Sequence, residues 1–442
     1  MIDQVRSAGV VGAGGAGFPT HVKLAAKADV IIANGAECEP LLRVDQQLMA
    51  QYPDEVVAGL ELALKATGAK KGIIAFKKKY HGAINALSAA IKGKRKLSLF
   101  LLDNFYPAGD EHVLFHEVTE KLVPEGGIPL EAGAVVQNVG TLINIYRASQ
   151  GQPVVDRAVT IGGAVKTPVT LNVPVGTMVN SLIQAAGGVT IPDPVVLMGG
   201  PMMGVVVTPS EAAIAKTCSG IIVLPASTPG VRSKQEKLST LLSRMKSACC
   251  QCLYCSELCP RQLLGHRLEP HKINRAASGL NTDPKVVAGA MLCCECGVCE
   301  SYACLMSLSP RRVIQELKKS FAQKGFINPL HRSDIKPHPA RKSRRIPTSR
   351  LIRRLGLKNF DVPAPFSGKN VLPDRVELEL KQHVGTPAEP VVKKGGRVKR
   401  GDLVAEIPDK ALGARVHASI DGTVISVLPD RVVIKAAARR RR

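Results

Sequence analysis
The chain has 442 residues, 45% of them hydrophobic and only 3% aromatic, with 60 Lys and Arg against 36 Asp and Glu for a formal charge of +24. That length accommodates roughly two to four domains with cores of their own and excludes a small scaffold dependent on disulfides; no run approaches the ~18 to 20 apolar residues of a membrane span, so no transmembrane segment is expected. Much of the excess charge falls between residues 332 and 358 and in residues 439–442, almost without aromatics for base stacking, which speaks against a nucleic-acid reader and leaves a solvated linker or an anionic docking surface, with the last arginines read as a disordered end.

The chain opens Met1-Ile2-Asp3-Gln4, without the basic and apolar regions of a secretory signal, and a cytoplasmic location with reduced thiols is expected. Gly12-Ala13-Gly14-Gly15-Ala16-Gly17 is a Gly-rich turn that leaves backbone N–H groups open to a phosphate. No clear strand precedes it, so it is not the usual dinucleotide fingerprint, and an ordinary Gly-rich turn is the plain alternative. Residues 30–34 read as a short buried strand ending in a polar loop through Glu37, Cys38 and Glu39, where Cys38 is taken as a small packing residue in preference to a redox-active one. Helical periodicity over 55–67, a strand over 72–76 and a helix over 83–91 continue an α/β pattern to about residue 148. From about 154 to 225, short Val- and Thr-rich alternations with one helix over 178–186 predict a small β-rich domain. Residues 233–246 predict one amphipathic helix leading into a helical, cysteine-bearing region that runs to about 324. Residues 326–365, basic and Pro-rich, read as a linker. Short Val-rich strands with Gly-Asp and Asp-Gly turns between about 371 and 436 predict an all-β sandwich. The expected domains are therefore 1–150, 151–230, 231–325 and 366–438, with 326–365 joining the last two.

Eight of the twelve cysteines form two runs, Cys249-x2-Cys252-x2-Cys255-x3-Cys259-Pro260 and Cys293-x2-Cys296-x2-Cys299-x4-Cys304. This is the ligand pattern of a two-cluster ferredoxin, in which three closely spaced thiolates surround one cubane and the displaced fourth ligates the other. Cys249, Cys252 and Cys255 are thus paired with Cys304, and Cys293, Cys296 and Cys299 with Cys259. A pair of zinc sites is the alternative, although zinc needs neither a third in-line cysteine nor an offset fourth. The second run departs from the pattern, with four residues before Cys304 and Leu305 in place of a proline. Cys250 and Cys294 read as bystanders, with replacement of the neighbouring ligand as the alternative. His266 and His271 read as surface or capping residues.

The Gly-rich run through Lys23, taken with residues 34–40, resembles the flavin-binding subunit of respiratory complex I and, more closely, the C subunit of the Rnf electron-transport complex, in which these loops hold FMN. The likeness extends to Tyr106-Pro107-Ala108-Gly109-Asp110-Glu111 and to Val136-Gln137-Asn138-Val139-Gly140-Thr141. In the Rnf protein a lipoyl-type hammerhead precedes the flavin domain, whereas here the matching β-sandwich follows the cysteines. That order, over nearly the whole chain, resembles the cobalamin reductases of propanediol-utilisation bacterial microcompartments. The resemblance implies a multidomain α/β protein with a Rossmann-like FMN domain, a β-grasp (SLBB) domain, a helical two-[4Fe-4S] ferredoxin-like domain and a C-terminal β barrel-sandwich hybrid. By resemblance FMN is held by Gly12, Gly14, Gly15, Gly17, Lys23, Asn34, Glu37, Asn138 and Thr141, with Gly109, Asp110 and Glu111 on the side where NADH stacks. It further implies NADH as donor, cobalamin as substrate, a corrinoid adenosyltransferase and microcompartment shell or lumen proteins as partners, and a place inside such a compartment. His266 or His271 as a cobalt ligand or cluster-tuning group is the sharper alternative for those residues. A peripheral subunit of an Rnf-type membrane complex and a non-enzymatic electron carrier are the competing functions. No side chain is expected to act as acid or base, because hydride and single-electron chemistry belong to the cofactors.

Overall fold
The computed structural model describes residues 1–277, 279, 283–369 and 371–437; the arginines at 439–442 lie outside them. Val30–Gly35 is an apolar run buried on both faces, with Ile31, Ile32 and Ala33 fully covered, as a strand inside a parallel sheet must be. It pairs in parallel with Lys71–Lys77 on one side and Ala134–Asn138 on the other, and Leu97–Leu102 completes the sheet. The central strand is first in sequence, so the chain order reverses beside it. That reversal opens a crevice at the carboxyl ends of Val30–Gly35 and Ala134–Asn138, the usual ligand position in such sheets. The helices Pro53–Thr67 and Val139–Ser149 pack together over the sheet.

The next region is a six-stranded sheet, ordered Phe366–Ser367, Val169–Pro174, Asp156–Gly163, Gly220–Pro225, Pro194–Met198 and Val205–Val207, with the helix Val179–Ala185 packed on it. Its first strand comes from beyond the expected domain end: Phe366 pairs with Thr170. The C-terminal region has Arg375–Glu379 in a sheet with Arg431–Ala436, Gly422–Val427 and Arg397–Val398, facing a sheet of Glu389–Pro390, Leu403–Glu406 and Val416–His417.

Two expectations are corrected. The single helix over 233–246 is two, Pro229–Gln235 and Leu238–Ala248, and Arg312 donates to the carbonyls of Ser233 and Glu236 freed at the break. Residues 326–365 are not a free linker but a packed strap. Ile346–Pro347 pairs antiparallel with Phe105–Tyr106, Leu351, Ile352 and Leu355 are buried, and basic side chains meet acids far away in sequence: Arg341 and Arg345 on Glu117, Arg332 on the fully buried Glu125 carboxylate. Among the described residues no helix is long and apolar enough to cross a membrane.

The extra residue of the second cysteine run is absorbed locally. Cys299–Ala303 forms a π-turn, where the first run has the α-turn Tyr254–Glu257. One added residue per turn is what a π-bulge accommodates, and it brings Cys304 round despite the longer spacing.

Candidate functional site
A cavity of about 490 Å³ lies in the crevice at the strand-order reversal. One wall is the Gly-rich loop, closed where Val11 faces Pro19 and the Gly12 N–H donates to the Phe18 carbonyl at 2.9 Å. The loop is held from behind by three different segments. The Ala13 N–H donates to Thr141 Oγ1 at 2.9 Å, Arg157 Nη2 donates to the Ala13 carbonyl at 2.7 Å, and the Val384 N–H donates to the Gly17 carbonyl at 3.1 Å. Gly15 has φ +117° with no atom within 4 Å of where a Cβ would stand, so its backbone faces open space.

Eleven of the twelve residues expected to hold FMN or face NADH line this cavity: Gly12, Gly14, Gly15, Gly17, Lys23, Asn34, Glu37, Gly109, Asp110, Glu111 and Asn138. Thr141 does not; it is fully buried and shapes the loop through Ala13. Lys23 Nζ reaches Glu111 Oε1 and the Val136 carbonyl, each at 3.2 Å. Asn34 Nδ2 donates to the Gly109 carbonyl at 2.9 Å, tying together the two loops expected to face the nicotinamide and the flavin. Asn138 caps its helix by accepting from the Gly140 N–H and donates to Asp45 Oδ2 at 2.9 Å. Asp110 caps the helix Glu111–Thr119; burial alone raises a carboxyl, but the Arg261 guanidinium at 2.8 Å holds it below its ordinary value. Glu37 accepts from the Asp45 N–H at 3.0 Å, and burial, then the Asp45 charge, push its carboxyl up.

Several wall residues lie outside the expected set. Gln137 also lines the cavity, and among the described residues its buried Nε2 has no partner, a donor left over beside the ligand position. Cys38 accepts from the Gly109 N–H at 2.6 Å, and burial pushes its thiol up, in keeping with a packing role. Glu39 accepts from the Met202 and Met203 N–H groups at 2.8 and 2.7 Å, fastening the β-grasp region to the flavin loop. Tyr106 Oη donates to the Cys296 carbonyl at 2.6 Å, and both Cys294 and Cys296 form part of the wall. One cysteine run thus touches the cavity. The open backbone at Gly15, the orphan donor of Gln137 and the lysine at one end suit a flat, oxygen-bearing ligand with a phosphate.

Cys249, Cys252, Cys255 and Cys304 share one small recess, and the Leu308 N–H donates to Cys304 Sγ at 3.2 Å. Cys259 is buried beside Cys293 in a separate apolar cluster with Leu268, Leu292 and Ile314. Each displaced fourth cysteine therefore sits with the other run. Among the described residues no three His, Cys, Asp or Glu side chains converge on a single-ion site; a cubane spans a wider donor set than one zinc ion. Cys250 borders the first recess and is exposed, whereas Cys294 belongs to the wall of the larger cavity. His271 caps back to Ser256 Oγ, with Nδ1 2.7 Å away. His266 is not at the surface but 3% exposed, its ring against that of His112.

Family models match in register with this architecture: the Nuo51 FMN-binding domain over residues 5–147, the SLBB domain over 158–206, the 4Fe-4S dicluster domain over 248–309 and the RnfC barrel sandwich hybrid domain over 367–439. The chain is 43% identical to the cobalamin reductase PduS of Citrobacter freundii, over 98% of its own length and 95% of the relative's, and 42% identical to that of Salmonella typhimurium over the same shares. It is 39% identical to the C subunit of the Na(+)-translocating ferredoxin:NAD(+) oxidoreductase complex of Acetobacterium woodii, over 59% of this chain and 57% of that one.

Proposed function
The chain belongs to the cobalamin reductase family, and from that membership we propose that it oxidises NADH and passes single electrons to the cobalt of cobalamin, regenerating coenzyme B12 in 1,2-propanediol utilisation. It is a flavin and iron–sulfur oxidoreductase with an FMN-binding domain and a 4Fe-4S dicluster domain. The observation that supports the proposal is that Cys296, a member of one proposed quartet, and its neighbour Cys294 stand in the wall of the same cavity as the Gly-rich loop.

FMN, when bound, supplies the exchange between a hydride pair and single electrons. The residues around it bind and orient. Gly14, Gly15 and Gly17 give close backbone approach, with Gly12 and Thr141 fixing the loop. Lys23 compensates phosphate charge. Asn34, Glu37, Asn138 and Gln137 fix the ring or ribityl by hydrogen bonds, and Gly109, Asp110 and Glu111 line the NADH side. Cys249, Cys252, Cys255 and Cys304 hold one [4Fe-4S] cluster, and Cys259, Cys293, Cys296 and Cys299 the other. No side chain is assigned a proton-transfer role. A corrinoid adenosyltransferase is the proposed recipient, and shell or lumen proteins of a bacterial microcompartment the proposed surroundings.

The test is anaerobic mixing of cluster-reconstituted, FMN-loaded protein with NADH and hydroxocobalamin, following the corrinoid spectrum against a no-enzyme control. Catalytic formation of reduced cobalamin is the expected result. Flavin bleaching with an unchanged corrinoid refutes the acceptor and favours a peripheral subunit of an Rnf-type ion-translocating complex, the reading that the similarity to the Acetobacterium woodii protein supports.

A further inference from the structure
We infer that the outer face of the Cys249, Cys252, Cys255 and Cys304 quartet is a docking surface for a protein with an acidic surface that brings its own electron acceptor to that quartet. The inference rests on the electron path proposed above and adds where that path leaves the molecule.

The two quartets are placed differently. The Cys293 run adjoins the flavin cavity through Cys294 and Cys296, whereas the Cys249 run faces outward, with Cys250 and Cys252 exposed. Its two loops carry an apolar crown: Leu253 and Tyr254 are 41% and 45% exposed, Leu305 and Met306 58% and 42%. Leu253 and Ser307 hold positive φ values of +66° and +52°, conformations that disfavour residues other than glycine. Large apolar groups gathered at an exposed redox site mark an interaction surface.

The recess at this quartet has a volume of only about 20 Å³, about enough for one water. The recess lies between the four thiols, so an electron acceptor meets this quartet at its outer rim, among the crown residues. The rim states the charge of the partner's surface. The helix Thr348–Arg354 buries Leu351 and Ile352 and exposes Arg350, Arg353 and Arg354 at i, i+3 and i+4 on its outer side. Arg354 Nη2 lies 3.4 Å from the Cys304 carbonyl, which fixes this helix beside the crown. Among the described residues no ion pair engages these three arginines, in contrast to Arg341, Arg344 and Arg345, which meet Glu117 or Glu257. Lys246, exposed in the helix that runs into Cys249, adds a further charge. An apolar centre with an unpaired basic rim fits an acidic partner, and the same charge opposes a second copy of this chain.

The probes are native cytochrome c, which is basic, and its succinylated form, which carries the same haem on an acidic surface. Holoprotein reduced with dithionite and desalted is mixed with each at low ionic strength, so the result does not depend on NADH; bleaching of the flavin by NADH on separate samples reports the proposed function by itself. The acidic form is expected to be reduced at least about tenfold faster, with the difference lost at high salt. The double variant Arg350→Glu, Arg353→Glu, which leaves the Arg354 bond to Cys304 in place, is expected to reverse the preference at unchanged iron and FMN content. With both proteins oxidised, calorimetry is expected to show binding of the acidic form weakened by about tenfold or more in that variant. Leu305→Ser with Met306→Ser is expected to weaken the same binding at any salt concentration. Equal rates for the two cytochromes, a preference that survives charge reversal, or binding to anionic lipid vesicles in place of the acidic protein overturns the inference.

Discussion

Replacing Arg157 with Met tests whether the flavin loop is held by a domain other than its own. Arg157 lies on a strand of the β-grasp sheet, is 4% exposed, and donates to the Cys218 carbonyl at 2.6 Å, Ser219 Oγ at 2.6 Å and the Ala13 carbonyl at 2.7 Å. A hydrogen bond from a charged donor contributes about 1.5 to 3 kcal/mol, and part of the sum returns because Met has no charge to desolvate, which leaves a net loss of about 3 kcal/mol on folding. Only the Ala13 bond reaches the Gly-rich loop, so the loss of ordering there is one bond's worth, or FMN binding weaker by about ten- to a hundredfold. Titrating FMN into deflavo-protein and following quenching of its fluorescence reads the second quantity; urea unfolding reads the first. Arg157→Lys keeps the charge without the three-way fork and is expected to fall between. A variant that loses stability while binding FMN within about twofold of the parent refutes the coupling.

Gly15→Ala is expected to lower FMN affinity, because φ +117° strains any other residue in the loop, with little effect on iron content, because its Cβ meets nothing within 4 Å, whereas Gly17→Val drives into Thr217 Cγ2 at 2.8 Å and the His383 backbone at 3.1 Å and is expected to loosen the C-terminal sandwich, read by limited proteolysis. Lys216 Nζ donates to the Gly9 and Arg415 carbonyls, and burial lowers it to about 7 from an ordinary 10.5. Across that window the unfolded chain holds the extra proton, so stability rises with pH between those values and the gain is absent below about 7. Lys216→Met is expected to flatten that rise in urea midpoints measured across pH. For the quartets, Cys259→Ala is expected to abolish the same electron paramagnetic resonance signal as Cys293→Ala, and Cys304→Ala the same as Cys249→Ala, each with about half the iron lost. Loss of one signal by both Cys259→Ala and Cys249→Ala refutes the exchange of fourth ligands.

What the sequence disclosed was local. The Gly-rich loop, the buried strand Val30–Gly35 and the spacing of the cysteines each depend on neighbours within a few residues; the strand forms as read, and the loop and Cys296 line one cavity. What it concealed depends on partners more than a hundred residues away. Arg157 reads as one more charge until Ala13 is brought under it, 144 positions off. Gln137 sits between two residues of a flavin-loop motif, yet its unpaired Nε2 has meaning only beside a cavity. His266 reads as polar surface because its cover, the His112 ring and the chain around Glu125, comes from another domain. The strap over 326–365 was opaque for the same reason: Pro and Arg are linker residues by composition, and the acids that pair with them lie in the flavin domain.

The formal charge of +24 divides once those acids are located. Arg332, Arg341 and Arg345 act inside the molecule, clamping the strap to Glu125 and Glu117. A carboxylate as covered as Glu125 requires such partners, since an unpaired buried charge costs several kcal/mol. The strap also crosses the cysteine region and adds a strand to the β-grasp sheet through Phe366, which returns the chain to the flavin domain before the sandwich begins. This explains how a sandwich placed after the cysteines still meets the flavin loop at Gly17 through His383 and Val384. Arg350, Arg353 and Arg354 follow directly after the last clamped arginine and belong to the same basic run, yet their helix turns them outward beside Cys304. A run of basic residues that composition presents as uniform therefore performs two separate tasks, and Arg350 and Arg353, which engage no ion pair among the described residues, can be reversed in sign without unfastening the strap.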